Sequence, residues 1–542
     1  MEQQDLHKRL LLALVLSFLV LFGSSYLFPK PEVSVEQNTT ATTTQNVQTS
    51  TNMDKGAPQT QATTTAAPTA NGTTQVAAPV VAVKDVLTTI TAKNFIIKID
   101  KFGRVISTKL LKEKYKNEEG TFLELFDPSK TLPLEVRFSD SVMNNEAFQV
   151  AYTASADHIA LGETPETLTL IQKLSGLIVT KKITFYADGH YDLDLTTDKP
   201  TEFFLTPGHR PEADHSRYML VRGALVRDSE GILTSIEDGD AEKVEVIPNA
   251  TIVSAFDRYD ASLFYNFEKP MSATISIDTE DNPLPFVKGT QALSLHGYIG
   301  PKDWRLFESI HPDLVNAIEF GWFTFLSKPF FAVMLWIHDF VGNWGWAIIL
   351  FTLLVKLILF PLSYKGMMSM NKMRDLAPKM KEIKAKYGKD PAKMNQQTMA
   401  LYKKHGANPM GGCLPMLLQI PVFFALYRVL LNADELQGAP WIGWIVDLSD
   451  KDPFYVLPIL MGISMFFQQK ITPNTMTDPM QKKIFQWFPV IMTFFFLNFP
   501  AGLVLYWLTN NLLSIAQQFY INIAYEKYKV TMSKREKSKV KS

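Results

Sequence analysis

One lysine stands where a lysine is costly. Lys356 lies inside the run Ile348-Ile349-Leu350-Phe351-Thr352-Leu353-Leu354-Val355-Lys356-Leu357-Ile358-Leu359-Phe360. At the centre of a membrane-spanning helix a lysine costs about 2.5–3.5 kcal/mol, so such residues usually face a protein interior or a watery cavity. Snorkelling is the plainer reading, because Leu362 and the end of the run lie only about 9 Å away along a helix. The chemical reading uses the neighbours. Thr352 sits one turn earlier on the same face. Gln419, Asn510, Asn511, Ser514, Gln517 and Gln518 are polar groups in the other apolar stretches. Together they would line a wet cavity around one positive charge. No carboxylate lies within those stretches. An unanswered cation there attracts an acidic group from elsewhere.

The elements that would position these groups are apolar segments of spanning length. Leu10 to Phe28 follows His7, Lys8 and Arg9. Its length of about 28 Å suits an uncleaved anchor, with a cleaved signal at Gly23-Ser24-Ser25 as the alternative. Trp344 to Leu362, Cys413 to Leu431, Phe454 to Gln469, Ile484 to Phe499 and Leu503 to Ala524 make five more spans. The last two are joined at Pro500-Ala501-Gly502, which fits only a tight hairpin. Trp322 to Phe340 carries Lys328, Pro329, His338 and Asp339 among its aromatics. It reads as an interfacial helix, with a full span as the alternative.

Charge orients these spans. The chain has 54 basic and 54 acidic residues, but they are not mixed evenly. Residues 31–342 carry 27 basic and 41 acidic groups, net −14, and residues 343–542 carry 24 and 11, net +13. Loop 363–412 has eleven basic and three acidic residues, and tail 525–542 has seven and two. Loop 432–453 holds Asp434, Glu435, Asp447, Asp450 and Asp452 against Lys451. Short basic loops stay in the cytoplasm. Six spans with both termini inside put every basic loop inside and the acidic region outside. The single Cys413 excludes an intramolecular disulfide framework and any multi-cysteine metal site.

Residues 31–84 are Thr, Gln, Ala, Pro and Asn with little apolar bulk, which predicts a disordered tether. Residues 85–320 show short β-branched and aromatic runs between turns such as Asp188-Gly189 and Asp238-Gly239. This pattern predicts one large all-β sandwich. Its histidines share no metal-ligand spacing, so a structural or interaction role is expected. Within 363–412, Met370, Met373, Ala377 and Met380 repeat at helical spacing. Asp390-Pro391 starts a second helix carrying Met394, Gln397 and Leu401. The result is a basic cytoplasmic helical hairpin. Nine of the 21 methionines lie in 363–416, either as an adaptable contact surface or as core between the two helices.

Specific motifs accompany this architecture. They are Gly342-Asn343-Trp344-Gly345, Pro361-Leu362, Asn408-Pro409-Met410-Gly411-Gly412-Cys413-Leu414-Pro415 and Asp447-Leu448-Ser449. With them come Asp452-Pro453, Leu457-Pro458-Ile459-Leu460-Met461-Gly462, Met465-Phe466-Phe467-Gln468-Gln469-Lys470, Asp478-Pro479-Met480-Gln481 and Phe499-Pro500-Ala501-Gly502-Leu503-Val504-Leu505-Tyr506-Trp507. Densely over residues 320–530, the chain resembles the YidC/Oxa/Alb family of membrane protein insertases in its Gram-negative form. The resemblance implies a polytopic α-helical membrane protein with an anchor at 1–30 and an interfacial amphipathic helix at 321–343. A five-span insertase core follows at 344–524. The periplasmic all-β domain at 85–320 would be a supersandwich of the sugar-mutarotase type.

The resemblance also implies a hydrophilic groove open to cytoplasm and lipid, with Lys356, Thr352, Gln419, Tyr506, Trp507 and Asn510 lining it. Met370, Met373, Met380 and Met394 would make the hairpin's contacts. Family members carry arginine where this chain has Lys356, so charge is kept and bidentate carboxylate recognition is lost. Trp507 stands where tyrosine is frequent. The implied partners are nascent membrane proteins, the Sec translocon, the lipid bilayer and the ribosome, the last through the basic tail. That tail would dock ribosomal RNA or hold anionic lipid. No cofactor or metal and no covalent reaction are implied, and the chain contains no P-loop. A solute transporter and an envelope sugar receptor are the rival functions. The five spans show no inverted repeat to favour the first.

Overall fold

The computed structural model describes residues 85–116, 120–213, 222–406, 414–472 and 479–541. The expected anchor and tether, and most of the motif that contains Cys413, lie outside the described residues.

From Val86 to Pro301 the chain is almost all strand. A four-stranded sheet runs in the order Val105–Leu110, Phe95–Asp100, Val86–Thr91, His158–Ala160, with the last pair parallel. A second, mainly antiparallel sheet holds thirteen strands, with Val136–Phe138 and Thr153–Ala154 at the ends of its main path. Period-two alternation explains the burial. In Glu166–Lys173 the side chains of Leu168, Leu170 and Gln172 point inward, and in His190–Thr197 those of Tyr191, Leu193 and Leu195 do so. These inward rows build one core with Ile97, Phe185 and Phe203.

Helices interrupt and then follow the strands. The short helices are α1 (Ser141–Ala147) and α2 (Trp304–Ile310). Then come α3 (Thr324–Val341), α4 (Trp344–Ile358), α5 (Phe360–Tyr387), α6 (Pro391–His405), α7 (Leu414–Asn432), α8 (Val456–Ile471), α9 (Pro479–Phe496) and α10 (Ala501–Lys541). A second apolar cluster crosses from sheet to helices. Leu225, Phe256 and Leu263 of the strands, Phe307 of α2, Phe331 of α3 and Leu430, Val504 and Tyr506 of the later helices belong to it. The sheet domain and the helices therefore share buried surface.

The first core helix differs from expectation. A single helix over Trp344 to Leu362 is predicted, but α4 ends at Ile358 and the chain bends by 65° into α5. Pro361 explains the break, since it has no N–H to continue the α4 ladder and its ring favours the first turn of a new helix. This bent pair together has the length and composition of a broken membrane span. Among the described residues no single helix is long and apolar enough to cross a membrane. Helix α10 has the length, but Asn510, Asn511, Ser514, Gln517 and Gln518 make it polar. It also runs on through most of the basic tail, which is therefore not a separate element.

Candidate functional site

The helix ends around Lys356 are set by local chemistry. Asn343 caps α4 by accepting from the Trp346 N–H at 3.1 Å, and its amide donates to the Pro440 carbonyl at 3.0 Å. Gly345 lets α4 pass under Trp441, because a Cβ there would collide with the indole. Gly462 does the same for α8 against Thr493 of α9. Buried Asp452 accepts from the N–H groups of Phe454 and Leu457 and from the Trp444 indole. Loop 432–453 closes over the α9–α10 joint, where Ala501 N–H donates to Asp450 O at 2.7 Å and Gly502 N–H to Leu448 O at 2.8 Å.

Within this frame Lys356, Ser514, Asn510 and Gln419 come together. Lys356 is half-buried, and its Nζ donates to Ser514 Oγ at 2.8 Å. Ser514 Oγ donates to the Asn510 carbonyl at 2.7 Å, and Gln419 Nε2 to Asn510 Oδ1 at 2.6 Å. Three helices, α4, α7 and α10, thus meet in one polar chain. Among the described residues no carboxylate lies within ion-pair distance of Lys356. Ser514 was legible as a polar residue in an apolar stretch. Its pairing with Lys356, 158 residues away, was not.

The other expected groove residues stand differently. Thr352 is buried, and its hydroxyl is spent on the Ile348 carbonyl of its own helix at 2.7 Å. Trp507 packs edge-on against Phe423 at 4.7 Å and tilted against Phe496 at 4.8 Å. Tyr506 is buried beside Phe423. These two residues form an aromatic wall, and the Tyr506 hydroxyl meets the polar chain around Lys356 through a side-chain hydrogen bond with Gln419.

In the hairpin, α6 begins as its sequence dictates, with Asp390 accepting from Lys393 N–H at 3.1 Å and Pro391 in the first turn. Met373 is buried with Leu376, and Met370 packs on them with Leu401 and Tyr402. Met380 Sδ accepts from the Tyr402 hydroxyl. Met394 remains half-exposed. Three of the four methionines are thus engaged within the hairpin.

Sequence reasoning did not find the contact between the β domain and loop 432–453. Buried Asp434 takes Lys114 Nζ at 2.7 Å and the Tyr115 hydroxyl at 3.2 Å. Arg258 Nε donates to the Leu431 carbonyl at 2.7 Å, and Trp304 N–H to Glu435 Oε1 at 2.9 Å. Burial raises the Asp434 carboxyl, although Lys114 opposes the shift, and pushes Glu435 up to about 8. A cavity of about 160 Å³ beside this contact is lined by Phe95, Tyr115, Asp188, Tyr298 and Asp303. It shares no residue with the Lys356 group.

Known proteins similar to this chain match nearly all of its length. A family model described as the 60Kd inner membrane protein matches residues 336–528, and the YidC periplasmic domain matches residues 250–333. The membrane protein insertase YidC of Campylobacter jejuni is 49% identical over 523 residues, 96% of each chain. That of Wolinella succinogenes is 47% identical over 529 residues, covering 97% of this chain and 96% of its own. That of Helicobacter pylori is 43% identical over 557 residues, 98% of each. A crystal structure of an active YidC insertase covers 79% of this chain and 91% of its own, at 20% identity and TM-score 0.34, a likeness too weak to add to the sequence match. At such identity over nearly its full length, the chain belongs to the YidC family of membrane protein insertases.

Proposed function

We propose that this protein inserts membrane proteins into the bacterial inner membrane and that Lys356 is the charge that receives them. The reading rests on one observation: Lys356 sits among apolar helices with a hydroxyl, not a carboxylate, as its partner. A hydroxyl satisfies one N–H and leaves the positive charge unanswered. An acidic, unfolded segment of a client is attracted to that charge. Polar groups from Gln419, Asn510 and Ser514 keep the client's desolvation partial, which lowers the cost of bringing charge to membrane depth. The client's apolar segment then slides along the aromatic wall of Phe423, Phe496 and Trp507. Transfer into lipid is driven by the hydrophobic effect.

In this reading the chain spans the membrane six times with both termini in the cytoplasm and the β domain in the periplasm. The basic loop 363–412 and the basic end of α10 then face the ribosome and the anionic leaflet, and the Sec translocon is a partner for larger clients. Site-specific photo-crosslinking from Trp507 and Asn510 to a nascent membrane protein tests the site. Adducts that depend on the nascent chain are expected. Their complete absence from both positions would sink the proposal. Thr352 is the poorer probe position because its side chain is buried.

A further inference from the structure

The hairpin of α5 and α6 is built as a separate arm. Its apolar cluster around Met373 and Leu376 is distinct, among the described residues, from the cluster that unites the other helices. At its base the chain bends by 65° between Ile358 and Phe360. Besides a tilted ring contact of Phe360 with Tyr520, hydrogen bonds and ion pairs join its first helix to α10. Buried Asn371 donates Nδ2 to Asn522 Oδ1 at 3.0 Å, and Gln518 Nε2 donates to the same oxygen at 2.8 Å. One turn further out, Asp375 accepts from the Tyr525 hydroxyl at 3.0 Å and pairs with Lys529 Nζ at 3.0 Å. Two rungs four residues apart on α5 thus meet rungs on α10 with the same direction of travel.

A shared apolar core would fix the arm permanently. A short polar ladder, buried at Asn371 and Tyr525 and part-exposed at Asp375 and Lys529, holds it beyond a proline-marked bend while leaving its place dependent on a few side chains. The ladder lies on the cytoplasmic side of Ser514 on α10, so it fixes the arm beside the entrance to the Lys356 site. We infer that Asn371, Asp375, Asn522 and Tyr525 are positioning residues for insertion, holding the hairpin at the cytoplasmic mouth of the Lys356 site. This inference rests on the insertase function proposed above.

The test uses the full-length protein in proteoliposomes and a client with an acidic tail. Insertion by the parental protein tests the function on its own. The double variant Asp375→Leu/Asn522→Leu is expected to insert the client about tenfold more slowly, which corresponds to roughly 1.4 kcal/mol. A covalent substitute for the ladder separates positioning from folding. In a Cys413→Ser background, Asn371→Cys/Asn522→Cys is expected to be slow as the free dithiol. Bridging by a short, cleavable thiol crosslinker should restore it to within about twofold of the parental rate, and cleavage should slow it again. Parental rates in the leucine double variant would overturn the inference. So would a bridged protein that stays as slow as the unbridged one.

Discussion

Two regions of this molecule bury positive charge, and they do so in opposite ways. In the β domain the buried cations Arg104 and Lys181 are each answered by several acceptors. Arg104 is 1% exposed and pairs with Asp100 at 2.8 Å and Glu135 at 3.2 Å. Asp100 also accepts from the N–H groups of Phe102 and Arg104, and Arg137 takes the other oxygen of Glu135 at 2.8 Å. Lys181 is wholly buried and donates to the carbonyls of Gly103 and Leu134, while burial lowers its ammonium to about 7. In the helices, Lys356 has one hydroxyl. The first arrangement spends charge on holding two sheets together. The second leaves charge over, and only such a surplus can act on something that arrives from outside. On the function proposed above, the difference separates a structural ion from one that receives a client.

Breaking the β-domain network is the largest effect expected. Arg104→Ala strands Asp100 and one oxygen of Glu135 in a dry interior, and losing one member of a buried pair typically costs about 3–5 kcal/mol. Urea unfolding of the full-length protein, followed by proteolysis of the β domain, measures it. A cost below about 1 kcal/mol would erase the contrast, because the network would then be no better satisfied than Lys356.

Lys356→Ala should behave in the opposite sense. Removing a charge that costs about 2.5–3.5 kcal/mol at membrane depth leaves the fold as stable or more so. Insertion of clients with acidic tails should fall about tenfold, on the scale of one charge-assisted hydrogen bond. Clients with uncharged tails should be spared, and Lys356→Arg should restore most of the rate, since the charge is kept. Thermal unfolding and an insertion assay on the same preparations separate the two effects. Equal insertion of both client classes by Lys356→Ala, or a loss of stability like that of Arg104→Ala, would make Lys356 a structural ion.

Lys356 was legible because a single charge in an apolar run has few explanations, and Asp390-Pro391 because caps act within one turn. Strand alternation exposed the sheets for the same local reason. What stayed hidden depends on contacts between distant segments. Ser514 and Lys356 are 158 positions apart, and Asp434 and Lys114 are 320 apart. Thr352 shows the reverse case. Its spacing places it on the Lys356 face, but a threonine hydroxyl can return to the carbonyl four residues back, and here it does. The bend after Ile358 had a visible cause in Pro361. The hydropathy of the run continues smoothly through the break and masks it.

Glu435 lies between the two extremes and gives the finest test. It is buried at the contact between the β domain and loop 432–453, with Oε1 accepting from Trp304 N–H at 2.9 Å. Oε2 has no hydrogen-bond partner among the described residues. Burial, reinforced by Asp434 and Asp303, raises its carboxyl from 4.5 to about 8. The docked state therefore binds a proton that the open state releases. Between about pH 4.5 and 8 the contact must weaken as pH rises. Hydrogen exchange of loop 432–453, measured at pH 5 and pH 8, should show faster opening at the higher value. Glu435→Gln keeps an acceptor for Trp304 and cannot ionise. It should flatten that dependence and raise the opening free energy at pH 8 by about 1–2 kcal/mol, the scale on which an unsatisfied buried group is penalised. An unchanged pH slope in the variant would assign the dependence to Asp434 or Asp260, whose carboxyls burial also raises. Glu435 would then be a buried acid that does not set the strength of this contact.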